Sequence, residues 1–307
     1  MIEVLPLVSV SASRPMMGGD VSIHAIDGAD TALAAATMTR VLDRLEAWAA
    51  RLTRFDPASE LMRLNASPSS RVPVGPTLTA VLDWARTAEG LTDGLVDVAM
   101  LDARLTAEAG TDPARPPLTA TRRWSLARGP RGAVVRREPG VRFDLDGVAK
   151  GWLADRALAI TPGRSALVDG DGDVAMRIAG GDEWAIGIAD PREPGTLLAT
   201  VRATAPDGTR RLGLATSGTT NHRWRHESST AHHLIDPRTL RSAETDIVQA
   251  TVLAGSAREA EAFAKTAVIA GSARAFDRLA RPGVYGALVL TTRGEIRATP
   301  EMLPWLA

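Results

Sequence analysis

The chain has 307 residues, enough for two ordinary domains or one large one. Hydrophobic residues make up 45% and charged residues 23%, a globular composition that excludes wholesale disorder. Lys+Arg and Asp+Glu both number 36, so no global charge draws the chain to nucleic acid or anionic lipid. The lack of Cys excludes disulfides, thiolate catalysis, Cys-ligated zinc and a lipid-modified N-terminal Cys.

No run reaches the roughly 18 apolar residues of a transmembrane helix. The opening MIEVLPLVSVSASRP has no basic n-region and is broken by Glu3 and Pro6, so no signal peptide and a cytoplasmic location are expected. Weak alternation at 21–25 precedes an amphipathic helix predicted over Ala29–Thr53, with Leu33, Met38, Val41, Leu45, Trp48 and Leu52 on one face. Asp56-Pro57 ends it. Ser59-Glu60 opens a short helix through Asn65, and Pro73 to Pro76 reads as a turn. Helices follow at Leu78–Ala88 and, more weakly, Val96–Leu105, and residues 106–122 read as a surface connection.

The period then changes. Strands are predicted at Trp124–Leu126, Ala133–Arg136 and the alternating Val141, Phe143, Leu145, before a helix over Val148–Ile160. Further strands are expected at 165–168, 173–178, 184–188, 197–203, Leu212–Thr216, His232–Ile235, Ile247–Leu253 and Val284–Thr291, with a helix over Ser256–Ala270. Neither βαβ alternation nor a repeat is present, so the expectation is a single α+β domain over 1–307. Its part to about 122 is helix-rich and the part from 123 strand-rich, with helices packed on a mixed or antiparallel sheet.

Lysine occurs only at Lys150 and Lys265, so 34 of the 36 basic residues are Arg. In such a chain a retained Lys marks either a place that needs a compact ammonium or a chance survival on the surface. Lys150 lies in Asp144-Leu145-Asp146-Gly147-Val148-Ala149-Lys150-Gly151, where paired carboxylates, a glycine turn and a helix start succeed one another. Free N–H groups beside an ammonium favour a phosphate. The competing reading is an ordinary strand–turn–helix in which Lys150 pairs with Asp146 or Asp155. A second cluster joins Ala215-Thr216-Ser217-Gly218, read as a glycine turn, to His232-His233-Leu234-Ile235-Asp236-Pro237-Arg238-Thr239. There His233 could be a general base or a hydrogen-bonded structural residue. Asp169-Gly170-Asp171-Gly172-Asp173 imitates a calcium loop, but it lacks the loop's glycine and terminal Glu and reads as a strand–turn element. His222, His226, His232 and His233 lack the spacing of a zinc motif.

In this order the segments resemble the ApbE family of FAD:protein FMN transferases. The resemblance starts at Met17-Gly18, Arg54-Phe55, Ser59-Glu60, Asn65, Gly94 and Asp97, and takes in Asp144 to Gly151 with Asp155. It goes on through Trp184, Gly187, Asp190-Pro191, Ala215 to Gly218 and His233 to Thr239, ending on the helix from Ala260 to Gly271. It implies a Mg²⁺-dependent transfer of FMN from FAD to a Thr or Ser hydroxyl in a motif of a partner protein, releasing AMP. By this resemblance Asn65, Asp97, Lys150, Asp155, Ser217 and Asp236 would hold the flavin nucleotide. His233 would be the base, with Lys150 beside the reacting phosphates, and the Ala149 carbonyl a metal ligand.

Several positions depart from the pattern. The family's metal-binding Asp and Thr, four residues apart on the penultimate helix, are Glu261 and Lys265 here. Either Lys265 supplies the positive charge of the metal, held by Glu261, or the two form a surface pair with metal bound nearby through Ala149. Asp171-Gly172 replaces a double glycine, Gly19 an expected Thr, and Val96-Asp97-Val98-Ala99 a Phe-Asp-Pro-Thr. Two other activities are therefore carried beside transfer: an FAD-binding protein with weak or lost transfer, and an FAD pyrophosphatase giving FMN and AMP.

Overall fold

A computed structural model describes residues 9–26, 31–111, 124–129, 132–226 and 230–307. The chain opens on antiparallel strands β1 (Ser9–Met16) and β2 (Gly19–Ile26), joined at Met17-Gly18, both with positive φ. Helix α1 (Thr31–Leu52) buries Met38, Val41, Leu42 and Leu45 at helical spacing. In α2 (Glu60–Ala66) the Ser59 hydroxyl caps the start by accepting from Met62 N–H at 3.0 Å.

The turn expected over Pro73–Pro76 is instead the end of edge strand β3 (Arg71–Val74) and the start of α3 (Pro76–Leu91). Pro is tolerated at both places, because an edge strand and a first helical turn each leave an N–H unused. Helix α4 (Leu101–Ala109) starts later than the predicted Val96. Thr92 and Asp97 hold the segment before it in turns, accepting from Val96 N–H (3.1 Å) and Ala99 N–H (2.8 Å). The expected surface connection lies outside the described residues from 112 to 122, and its first residues belong to α4.

Strands β4 (Trp124–Gly129) and β5 (Gly132–Arg137) complete a three-stranded sheet with β3. Val141, Phe143 and Leu145 are all buried, as alternation requires, but they form no strand. The Asn65 amide takes the place of a neighbouring strand: it accepts from Phe143 N–H at 2.7 Å and donates to Phe143 C=O at 2.8 Å.

Helix α5 (Ala149–Ile160) leads into β6 (Ser165–Gly170) and β7 (Asp173–Ala179), then the hairpin β8 (Glu183–Ala189) and β9 (Leu197–Thr204). Strand β10 (Thr209–Gly218) is followed by the short β11 (Arg223–Arg225), β12 (Thr230–His232), β13 (Ile235–Asp236) and β14 (Arg241–Ser242). A bend at His233-Leu234 thus divides the strand predicted over His232–Ile235. The chain closes with β15 (Ile247–Ala254), α6 (Ala257–Ala270), α7 (Ala275–Leu279), β16 (Val284–Thr291) and β17 (Ile296–Ala298).

Eight strands form one antiparallel sheet in the order β1-β2-β6-β7-β10-β15-β16-β17. Small residues such as Ala166 and Ala175 face α1 and α5, while Leu167, Val174, Met176 and Ile178 face the β8–β9 hairpin through Trp184 and Ile186. Both faces are covered, which is why apolar residues occupy successive positions of β6 and β7. The fold is α+β, as expected, with strands from the N-terminal part inserted beside β6.

Candidate functional site

The segment Asp144–Val148 is pinned from both sides. Asp144 N–H reaches Val98 C=O at 2.8 Å, and Val148 and Ala149 N–H groups both return to Leu145 C=O at 3.1 Å. Gly147 between them has φ +94°, and a Cβ there would fall 2.4 Å from Lys265 Nζ. The turn is bare so that a side chain from α6 can lie against it. A cleft of about 610 Å³ opens over this turn, lined by α5, α6, the β6–β7 turn, the end of β10, and His222 and His233 on either side of the β11–β12 pair.

Glu261 and Lys265 project from α6 into this cleft, and both are buried, so they are not a surface pair. Lys265 Nζ donates to Asp146 C=O at 2.9 Å. Glu261 Oε2 accepts from Gly151 N–H at 2.9 Å, while its Oε1 is buried without a partner. The carboxylate therefore holds the start of α5 and not the ammonium. It also takes one of the N–H groups that the sequence offered to a phosphate. Burial, then the like charge of Asp173, pushes the Glu261 carboxyl well above its ordinary range.

Lys150 pairs with neither Asp146 nor Asp155. Its ammonium reaches Asp171 C=O at 3.4 Å, Asp171 Oδ2 at 3.6 Å and Asp173 Oδ2 at 4.0 Å. Burial disfavours its charge, but the surrounding carboxylates, Asp173 first, override this and raise its pKa. Burial, opposed by Lys150, raises Asp173 to about 7. Asp171 and Gly172, with φ of 65° and 90°, form the two-residue turn of the β6–β7 hairpin. A Cβ on Gly19 would lie 2.2 Å from Asp171 Oδ1. Two departures from the family pattern thus meet in space: the missing side chain at 19 makes room for the added carboxylate at 171.

The adjacent histidines differ. His232 Nε2 faces Ala243 C=O at 3.1 Å and its Nδ1 accepts from Leu234 N–H at 3.3 Å, so both ring nitrogens are engaged. His233 Nδ1 lies 3.2 Å from Asn221 C=O, which can only accept, and this leaves Nε2 as the ring's proton acceptor. Desolvation lowers the His233 pKa to about 3, against the opposing charge of Asp146. Beneath it, buried Arg104 donates to His233 C=O at 2.9 Å and to Asp146 Oδ2 at 3.1 Å, and it pairs with Glu108 at 2.9 Å. Arg54 reaches the same Glu108 and lies 3.9 Å from Asp144 Oδ2.

Of the residues singled out in the sequence, Lys150, Ala149, Ser217, His233, Glu261 and Lys265 line the cleft together. Ser217 lies on β10, opposite Ala250, and not in a turn. Asp97 lies in a small recess with Asp144, Asp146, His233 and Lys265. Three others hold backbone elsewhere: Asn65 clamps Phe143, Asp155 accepts from Ala257 N–H (3.0 Å) and Arg258 N–H (3.2 Å), and Asp236 accepts from Arg238 N–H (2.9 Å). Arg104 was not singled out, and Arg54 and Asp173 were named only in the resemblance and in the calcium-loop imitation, without a role at this site. The signal for Arg104 was its place in the apolar stripe of Leu101, Ala103 and Ala107, where a charge needs buried partners.

Fold and cleft define an α+β protein in which one cleft gathers two lysines, a neutral histidine and a ring of carboxylates. The ApbE family model matches residues 17–289, and the chain belongs to that family. An FAD:protein FMN transferase of Treponema pallidum is 30% identical over 155 residues, 46% of this chain and 41% of that protein. One from Rhodobacter capsulatus is 32% identical over 177 residues, 56% of this chain and 32% of that protein. The matches thus span less than half of the length of these curated relatives. The crystal structure of the ApbE protein from Thermotoga maritima superposes with a TM-score of 0.78 at 20% identity, covering 97% of this chain and 99% of that one. It shares the fold.

Proposed function

We propose that this chain is an FAD:protein FMN transferase, acting on a Thr or Ser hydroxyl of an acceptor protein. The observation that carries the reading is the meeting of both lysines and His233, distant in sequence, in one cleft. FAD is the substrate, and its pyrophosphate faces Lys150, Lys265 and the Gly147 turn. The acceptor oxygen attacks the FMN-side phosphorus, its proton passes to His233 Nε2, and the bond to the AMP phosphate breaks. The products are FMN esterified to the acceptor and free AMP. His233 suits this task because it is neutral and its tautomer is set by Asn221 C=O. Arg104 positions it through its backbone carbonyl.

Mg²⁺, which the family resemblance brings with it, does not fit the residues present. One of the two helix positions carries an ammonium already seated on Asp146 C=O, and a protonated amine has no lone pair to give a metal.

Release of AMP from FAD in the presence of a Thr-bearing acceptor tests the reading. Wild type is expected to release AMP in step with acceptor labelling, and His233→Ala to slow both about 10²–10⁴-fold while still binding FAD. AMP and free FMN formed at the same rate without acceptor would replace transfer by hydrolysis.

A further inference from the structure

The family resemblance puts a divalent cation where this chain has Lys265. The ammonium is not incidental to that place. It is buried, it lines the same cleft as Lys150 and His233, and the turn at Gly147 is bare where its Nζ rests. We propose that Lys265 is a resident cation that replaces the divalent metal, so that FAD is bound and its pyrophosphate neutralised without Mg²⁺. This rests on the flavin-transfer reading above.

Three features carry the proposal. Lys265 Nζ uses one of its three N–H bonds on Asp146 C=O, and the nearby carboxylate of the same residue, which feels the Lys265 charge, is already paired with Arg104. Lys150, by contrast, stands against the carboxylates of Asp171 and Asp173, which balance its charge. Glu261, one turn before Lys265, has turned one oxygen to Gly151 N–H and so braces α5. A dication brought into this space would meet the ammonium at short range with little water to screen it.

The test is titration of FAD into the metal-stripped full chain, first in EDTA and then with Mg²⁺, followed by quenching of flavin fluorescence. Wild-type affinities in the two conditions are expected to agree within about twofold, and Lys265→Thr to bind about 10–100-fold more weakly in EDTA and to recover with Mg²⁺. Mn²⁺ gives a second readout: with FAD present, the paramagnetic signal of free Mn²⁺ is expected to stay undiminished with wild type and to fall with Lys265→Thr. The wild-type arms need no variant, so they decide even if Lys265→Thr does not fold. Wild-type binding that needs Mg²⁺, or uptake of Mn²⁺ by wild type, would overturn the proposal and place a metal between Glu261 and the Ala149 carbonyl. No binding of FAD in either condition would overturn the flavin-transfer reading, and this proposal with it.

Discussion

His232 and His233 are neighbours in the chain with opposite duties, and hydrogen bonding separates them. His232 spends both nitrogens on backbone, whereas His233 keeps Nε2 for chemistry. With a folded pKa of about 3 against an ordinary 6.5, His233 stays neutral from about pH 4 upward. The kcat/KM profile of the transfer reaction is therefore expected to show no His limb between about pH 7 and 5; a fall centred near the ordinary value would contradict this. Between the two values the unfolded chain binds the extra proton, so the fold loses stability as pH falls below about 6.5, and His233→Gln is expected to flatten that slope in urea titrations. Gly147 allows a second prediction at this scale. Gly147→Ala forces a side chain onto φ +94° and into Lys265, so it is expected to cost about 1–3 kcal/mol of stability and to weaken FAD binding. Both lysines were legible from the sequence because they are rare there. Arg104 was not, since one Arg among many carries no such mark.

At the scale of elements, side chains replace regular partners. The Val141–Leu145 segment has the alternation and burial of a strand, and Asn65 supplies the bonds that a ladder would. Asn65→Leu leaves the Phe143 N–H and C=O buried without partners, for an expected loss of about 2–4 kcal/mol read from the denaturation midpoint. Asp155 does similar work at the start of α6, accepting from Ala257 and Arg258. Burial raises its pKa to about 6, above the ordinary carboxylate value, despite those two bonds. The folded chain therefore holds a proton between about pH 4 and 6 that the unfolded chain does not, and stability falls as pH rises through that window, on the order of 1–3 kcal/mol. Asp155→Asn is expected to remove this fall, and an unchanged slope in the variant would contradict it. Periodicity found α1 and α3 because their buried faces follow the helical repeat. It misplaced β3, where Pro73 sits on an edge strand that leaves an N–H unused, and the start of α4, where Thr92 and Asp97 accept from nearby backbone N–H groups that periodicity does not register.

At the scale of the molecule, the order of the large sheet was not legible in any one segment. Strand β2 lies beside β6 across more than a hundred residues that include the β3–β5 sheet, and such pairings are chosen by long-range burial. The same distance joins Gly19 to Asp171 and Gly147 to Lys265, each a missing side chain matched to one that needs the space. In the sequence Gly19, Asp171 and Lys265 were isolated departures from the family pattern; in the fold Asp171, Gly147 and Lys265 line one cleft, with Gly19 set against Asp171. No helix among the described residues is long and apolar enough to cross a membrane.

The most direct measurement is the intact mass of a Thr-bearing acceptor protein after incubation with the full chain and FAD. The account predicts that the acceptor gains the mass of one esterified FMN, and that mapping places it on a hydroxyl. An acceptor of unchanged mass, with FAD either intact or cleaved to free FMN and AMP, would contradict it.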